Sequence, residues 1–367
     1  MFKNSDPILL IDEQKVKKNL KRMHEKVLKS GAHFRPHFKT HQSLQIGKLF
    51  QEEGIKSITV SSMGMAEYFG GYWDDITIAF PFNILQLDRL NTLLEKQFVH
   101  IMVDSPELVD ALLGKVDMYC GVWIEIETGN KRTGIDPNRI DEIRAMVEKI
   151  SNDPYLEFTG FYSHPGHSYT RKGKEAVLSV FNETVSIMNK LKSQFDIEGI
   201  QVNVGDTPSS SHTDSFEGVD SVSCGNFIFY DMMQVNIESC KAEDVAVCLT
   251  APVVSISRER KEIAVLAGGI HLSKEKMELN GQPFFGSVVL LEENHWGEPL
   301  QDCYIKSISQ EHGVIKASDE LLERVKIGDV LGVLPVHSCM TADCMGKYYD
   351  FEGNVIDHFS MRARDRD

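Results

Sequence analysis

The stretch VWIEIETGNKRTGIDPNRIDEIRAMVEKI, residues 122–150, holds one full period of the rhythm that organises this chain. Val122–Ile126 is a short apolar run, too short for a helix and followed by a glycine-containing loop. Asp136 and Pro137 then open a helical pattern in which Ile140, Ile143, Val147 and Ile150 share one face. Phe158–Tyr162 is strand-like again. It leads into a long amphipathic helix with Val177, Phe181, Thr184, Met188 and Leu191 on one stripe.

The same period recurs on both sides of this stretch. Ala32–Pro36 precedes a helix carrying Ile46, Leu49 and Phe50, and Ser57–Ser61 precedes one at Met65–Phe69. Ile76–Ala79 precedes Leu85–Leu94, and Val99–Val103 precedes a helix opened by Ser105 and Pro106. Ile200–Val204 and Asp220–Ser223 complete eight strands. Such alternation implies a parallel sheet, and eight units favour a closed (β/α)8 TIM barrel over an open doubly wound sheet. After Lys241 the rhythm changes. Val245–Ser257, Glu262–Leu266, Ser287–Leu291, Cys303–Ser309, Val314–Ala317 and Val330–Leu334 read as strands, with Asp319–Arg324 the helix of note. The expected organisation is a barrel over residues 12–240 and a C-terminal β domain over 241–367, to which residues 1–11 add a strand at Ile8–Ile11.

The 367 residues suffice for a large barrel plus a smaller domain. A net charge of -15 argues against nucleic acid and anionic membranes as partners. No apolar run approaches the ~20 residues of a membrane helix. The opening MFKNSDPILLIDEQ has too short an apolar run for a signal peptide. Seven scattered cysteines suit a reducing compartment rather than a disulfide framework. The expectation is a cytoplasmic protein acting on a small molecule.

In a (β/α) barrel, chemistry gathers where strands end. After the first strand comes Arg35-Pro36-His37-Phe38-Lys39-Thr40-His41. Read alone, this heptad is a basic loop capping a strand. A lysine amid positive charge and partial burial, however, has its pKa lowered, as a Schiff-base nucleophile requires. The fifth strand delivers Thr128–Gly134 with Arg132, and the sixth His164–Tyr169 with His167. The seventh delivers Gly205–Ser209 and the eighth Cys224-Gly225-Asn226. Small residues and hydroxyls after strands seven and eight suit a phosphate. Lysine, arginine, a histidine–tyrosine loop and a phosphate cradle on one rim together point to pyridoxal 5'-phosphate. In the β domain, His337-Ser338-Cys339 follows a strand. Imidazole and thiolate two residues apart can bind one divalent ion, with zinc favoured and water or substrate completing an open site. A buried, non-ligating pair is the plain alternative. Cys344 reads as a core residue, and His24, His100, His295, His312 and His358 as surface or core.

Taken in order, Arg35-Pro36-His37-x-Lys39-Thr40-His41, Gly129–Gly134, Gly166-His167-Ser168-Tyr169, Gly205-x-Thr207-Pro208, Gly225-Asn226-x-x-Phe229-Tyr230-Asp231 and His337-Ser338-Cys339 form a specific combination. Over roughly residues 5–360 it resembles the fold-type III pyridoxal-phosphate family of D-threonine aldolase and eukaryotic-type D-serine dehydratase, alanine racemase-like in its N-terminal domain. The resemblance implies a barrel with the cofactor at its mouth, a metal-bearing β domain and a homodimer. It implies Lys39 as Schiff-base lysine and base at Cα, and Thr207 with Gly225 and Asn226 on the phosphate. His167, Tyr169 and Arg132 would line the cofactor, with Arg132 at the pyridine nitrogen. His337 and Cys339 would hold zinc, manganese or another divalent ion. Phe38, Asp206 and Ser223-Cys224 depart from the family pattern. The H-x-C pair resembles the dehydratases, the aldolases tending to carry H-x-D. The implied reaction is therefore D-serine to pyruvate and ammonia. D-threonine aldolase is the alternative, ahead of an amino-acid racemase or a non-catalytic cofactor carrier.

Overall fold

The computed structural model describes residues 5–360. Residues 1–4 and 361–367, the outer ends of the expected β domain, lie outside the described residues. The chain divides into two compact units. One comprises Lys21–Lys39 and Gly47–Gly225; the other comprises the residues up to Leu20, Thr40–Ile46 and those from Asn226 onward.

Eight short strands build the first unit: β1 (His33–Phe34), β2 (Ser57–Val60), β3 (Asp75–Pro81), β4 (Phe98–Val103), β5 (Cys120–Glu125), β6 (Leu156–Ser163), β7 (Gln201–Val204) and β8 (Ser221–Val222). From β2 round to β8 and on to β1, each pairs in parallel with its neighbour. Past the end of β1 the chain closes the ring on β2. Phe38 N–H donates to the Thr59 carbonyl at 2.8 Å, and Thr59 N–H to the Pro36 carbonyl at 2.9 Å. Closure removes the edges that an open sheet would leave unpaired.

The strands are nearly continuous apolar runs because both faces are covered. On the outside, the helix Ile140–Asn152 buries Ile143, Met146, Val147 and Ile150, and Lys174–Lys192 buries Val177, Val180, Phe181, Thr184, Met188 and Leu191. Ala79, Met102, Trp123 and Tyr162 pack together, one from each of four successive strands. A polar network joins the start of β3 to its neighbours. The Asp75 carboxylate accepts from Arg35 at 2.6 and 2.5 Å and from Ser57 Oγ at 3.2 Å, with His100 Nε2 at 3.3 Å. Burial opposes ionisation of Asp75, but the His100 and Arg35 hydrogen bonds hold its carboxyl well below the usual range. His100, read from sequence as surface or core, is buried within this network.

Six strands of the second unit form a ring of their own: β9 (Val247–Ser257), β10 (Glu262–Leu266), β11 (Gly286–Val289), β12 (Tyr304–Ile308), β13 (His312–Lys316) and β14 (Val330–Pro335). The order β9–β10–β13–β12–β11–β14 returns to β9, antiparallel throughout. Leu9–Ile11 extends it, pairing antiparallel with β9. A hairpin, Met277–Leu279 with Gln282–Phe284, turns at Asn280 and Gly281, both at positive φ.

The second unit holds a further helix that its sequence does not suggest. Besides Asp319–Arg324, an eight-residue helix, Ser338–Met345, follows β14. Its sequence SCMTADCM lacks an apolar stripe because the residues it buries include Ser338, Cys339, Thr341 and Ala342, small side chains that periodicity does not register. His337 is its N-cap residue, and Gly346, at φ +66°, ends it.

Candidate active site

Lys39 lies just beyond the first barrel strand, where ring closure fixes the backbone. The preceding residue anchors it. Phe38 is fully buried, with ring centroids 4.8 Å from Phe50, 5.2 Å from Phe69 and 5.0 Å from Trp73. The large side chain that departs from the family pattern thus fills the space between barrel and surrounding helices. Lys39 itself is exposed, so the partial burial read from its surroundings belongs to Phe38 instead.

Charge on this rim converges on a residue that no sequence motif singles out. His164 follows β6, and its Nδ1 lies 2.5 Å from the Gly205 carbonyl. Its pKa falls to about 4. Burial is the main cause, the Gly205 hydrogen bond works against it, and the charges of Lys39, Arg132 and His167 lower it further. His164 is therefore a neutral imidazole at pH 7, with Nδ1–H donated to Gly205. The ring of Tyr169 stands 6.4 Å away. No periodic pattern could have distinguished His164 from His167; its charged neighbours come from different loops.

The exposed Arg132 belongs to the loop after β5. Its charge acts on the buried Glu125, whose Oε1 accepts from Thr133 Oγ1 at 2.9 Å. Gly129, at φ +128°, allows that loop to pass His167: a Cβ there would lie 2.9 Å from the ring.

Past β7, Asp206 resolves the apparent conflict of an acid beside a phosphate loop. It is the N-cap of the helix Thr207–His212, accepting from Ser209 N–H at 2.9 Å and from Ser168 Oγ at 2.7 Å. Burial pushes its pKa up to about 6, while its Ser168 and Ser209 hydrogen bonds moderate the rise. Thr207 is fully buried at the first turn. The Ser223-Cys224 departure is also structural. Ser223 Oγ donates to Asn203 Oδ1 at 2.7 Å and lies 2.8 Å from Tyr162 Oη. Gly205 is needed beside it, since a Cβ would fall 2.1 Å from that Oγ. Burial pushes the Cys224 thiol up to about 12, which leaves it unreactive. Gly225 follows, half-buried.

Among the described residues, the buried polar atoms without a hydrogen-bond partner include two on these loops and strand ends, Glu125 Oε2 and His167 Nδ1. Native structures seldom leave such groups unsatisfied without a ligand or water. An amine, a basic side chain, buried hydroxyls and these unsatisfied polar atoms fit pyridoxal phosphate.

The second unit carries the other cluster. Asn226 Nδ2 donates to Asp231 Oδ2 at 2.8 Å, to Ser338 Oγ at 3.0 Å and to Cys339 Sγ at 3.5 Å. Cys339 Sγ lies 3.3 Å from Thr40 Oγ1. Burial alone would lower the His337 pKa. The Cys339 charge, its hydrogen bond to the imidazole and the Asp231 carboxylate instead raise it to about 9. A pKa near 9 means that the imidazole holds its proton at pH 7; giving that proton up to a cation would leave a nitrogen and sulfur donor set that fits a borderline-soft divalent ion. Among the described residues no group of three or more His, Cys, Asp or Glu surrounds a metal position. Cys344 is half-buried on the same helix. Of the sequence-predicted residues, Lys39, Arg132, His167, Tyr169, Thr207 and Gly225 belong to the barrel unit, and Asn226, His337 and Cys339 to the other.

A parallel (β/α)8 barrel with a lysine beyond its first strand, in a chain that also carries an antiparallel β unit, defines the alanine racemase-like class. The family model described as "Alanine racemase, N-terminal domain" matches residues 11–232, and the chain belongs to that family. A second model, "Putative serine dehydratase domain", matches residues 246–350. D-serine dehydratase from Dictyostelium discoideum is 29% identical, the match covering 96% of this chain and 95% of that protein. The structure of D-threo-3-hydroxyaspartate dehydratase from Delftia sp. HT23 superposes with a TM-score of 0.87 at 25% identity, covering 97% of each chain. A metal-free mutant of D-threo-3-hydroxyaspartate dehydratase superposes with a TM-score of 0.88 at 24% identity, again covering 97% of each chain. D-Threonine aldolase from Filomicrobium marinum shares the fold, at TM-score 0.82 and 17% identity, with 97% and 95% covered.

Proposed function

We propose that this protein is a pyridoxal-phosphate- and metal-dependent lyase acting on D-3-hydroxy amino acids, with D-serine the substrate and pyruvate and ammonia the products. The observation that carries the dehydratase reading is the His337–Cys339 pair, an N/S donor set bonded to itself and backed by Asn226 and Asp231. The name of the D-serine dehydratase relative, similar over 96% of this chain, supports it. So does the existence of a metal-free mutant form of the hydroxyaspartate dehydratase, which implies a metal in that relative.

When bound, pyridoxal phosphate makes the substrate Cα–H acidic, and a divalent ion makes the β-hydroxyl a competent leaving group. The chain's residues do the rest. Lys39 Nζ anchors the cofactor and then takes the proton from Cα. Thr207 Oγ1, with the backbone at Gly225 and Asn226, holds the phosphate. Arg132 places a permanent positive charge beside the ring. His167 and Tyr169 line the cofactor, and neutral His164 leaves its Nε2 as an uncharged contact. His337 and Cys339 hold the metal, zinc by the softness of the pair, while Asn226 and Asp231 orient the helix start that bears them. Lys39 and Thr40 are consecutive in the chain, as are Gly225 and Asn226. The proposal extends to a homodimer and, from seven free cysteines, to the reducing cytoplasm.

Cys339→Ser tests the metal role. The variant is expected to lose its bound zinc and on the order of a hundredfold or more in D-serine turnover. The visible absorbance of cofactor bound to Lys39 should persist. Full turnover in this variant would remove the metal from the mechanism.

A further inference from the structure

The helix Glu13–Lys29 contributes a residue that no sequence signal connects with the barrel mouth. Lys26 lies within its last turn and is half-buried. Its Nζ donates to the carbonyls of Ser210 at 2.9 Å and of Ser211 at 2.8 Å. These belong to the last turn of the helix Thr207–His212, where carbonyls have no partner within the helix and the dipole is negative. The opposite end of the same helix is fixed by Asp206, which accepts from Ser209 N–H. Six residues are too few for a helix to hold its shape unaided. A carboxylate at one end and an ammonium at the other therefore fix the segment that presents Thr207. The Lys26 ammonium has exchanged hydration for these carbonyls, and burial accordingly pulls its pKa down.

We infer that Lys26 is a positioning residue for cofactor phosphate, acting through the helix Thr207–His212 rather than by contact. This rests on the cofactor assignment proposed above. A charge-assisted hydrogen bond is strong enough for its loss to be read in affinity. The chain that follows this helix has its own link to the end of helix Glu13–Lys29, Phe216 N–H donating to Ser30 Oγ at 3.1 Å. The fold should accordingly survive loss of the Lys26 bonds.

The test is the affinity of the cofactor-free protein for pyridoxal phosphate and for pyridoxal, each titrated by visible absorbance. Lys26→Met is expected to weaken pyridoxal phosphate about tenfold while leaving pyridoxal, which has no phosphate, unchanged. Lys26→Arg, which keeps the charge and its donors, is expected to restore most of the affinity. Equal weakening of both ligands, or of neither, would overturn the inference, leaving the cofactor assignment standing. If the wild-type protein binds neither ligand, the cofactor assignment fails and this inference falls with it. Circular dichroism of Lys26→Met must match wild type; a collapsed spectrum would make Lys26 a folding residue and refute the positioning role.

Discussion

Replacing Asp206 with Asn isolates the charge of a buried helix cap. Asn accepts the Ser209 N–H and Ser168 hydroxyl bonds through its side-chain oxygen, so the cap survives and only ionisation is lost. Burial raises the folded-state pKa of Asp206 from 3.8 to about 6. A raised carboxyl pKa means that the folded state favours the protonated form. Its contribution is therefore complete below pH ~4 and is lost as pH rises through about 6. The full penalty is about two pKa units, on the order of 3 kcal/mol, and roughly half of it is already present at pH 5. The advantage of Asp206→Asn over wild type should thus grow by about 1.5 kcal/mol between pH 5 and pH 8. Urea unfolding of the cofactor-free proteins across that range, followed by tryptophan fluorescence, measures it. Trp73 and Trp123 report from the barrel unit. Superimposable pH profiles for the two proteins would show that Asp206 is not a buried, destabilised carboxylate.

Phe38→Ala should cost about 3–5 kcal/mol of barrel stability, because the lost ring leaves a cavity among Phe50, Phe69 and Trp73; a loss under ~1 kcal/mol by urea unfolding would contradict the anchoring role. Asp75→Asn should also cost about 3–5 kcal/mol, since Arg35 is left buried without its counter-charge. The Asp75 carboxyl pKa is lowered on folding, so its contribution is present above the unfolded carboxylate range and is lost as pH falls. The variant should therefore show a flatter acid limb in pH-dependent unfolding.

Much of the barrel was readable because its strands are buried on both faces and so appear as uninterrupted apolar runs. Val99–Val103 and Val122–Ile126, for instance, correspond to β4 and β5. The helix stripe from Val177 to Leu191 was likewise visible through its 3.6-residue period. Ring closure was legible from the count of eight strand–helix units, but the contacts that make it were not. It depends on main-chain bonds between residues 36–38 and 59, and backbone pairing leaves no compositional trace. The six-stranded ring of the second unit was hidden for the same reason, although each of its strands was readable. At the candidate site, Lys39 stood out because its neighbours are unusual. His164 did not, since its neutrality comes mainly from burial, with the charges on Lys39 and Arg132, far away in sequence, adding to it. Asp206 looked like a misfit beside a phosphate until its side chain was seen bonded to Ser209 and Ser168. Arg35, Asp75 and His100 could not be associated from sequence, because three different strand neighbourhoods bring them together.

Product analysis decides between elimination and aldol cleavage. Protein loaded with pyridoxal phosphate and zinc is offered D-serine and D-threonine separately, and the products are identified by proton NMR. A dehydratase gives pyruvate from D-serine and 2-oxobutyrate from D-threonine, the expected result. Glycine and acetaldehyde from D-threonine, with no pyruvate from D-serine, would contradict it and make the protein an aldolase despite its cysteine at position 339.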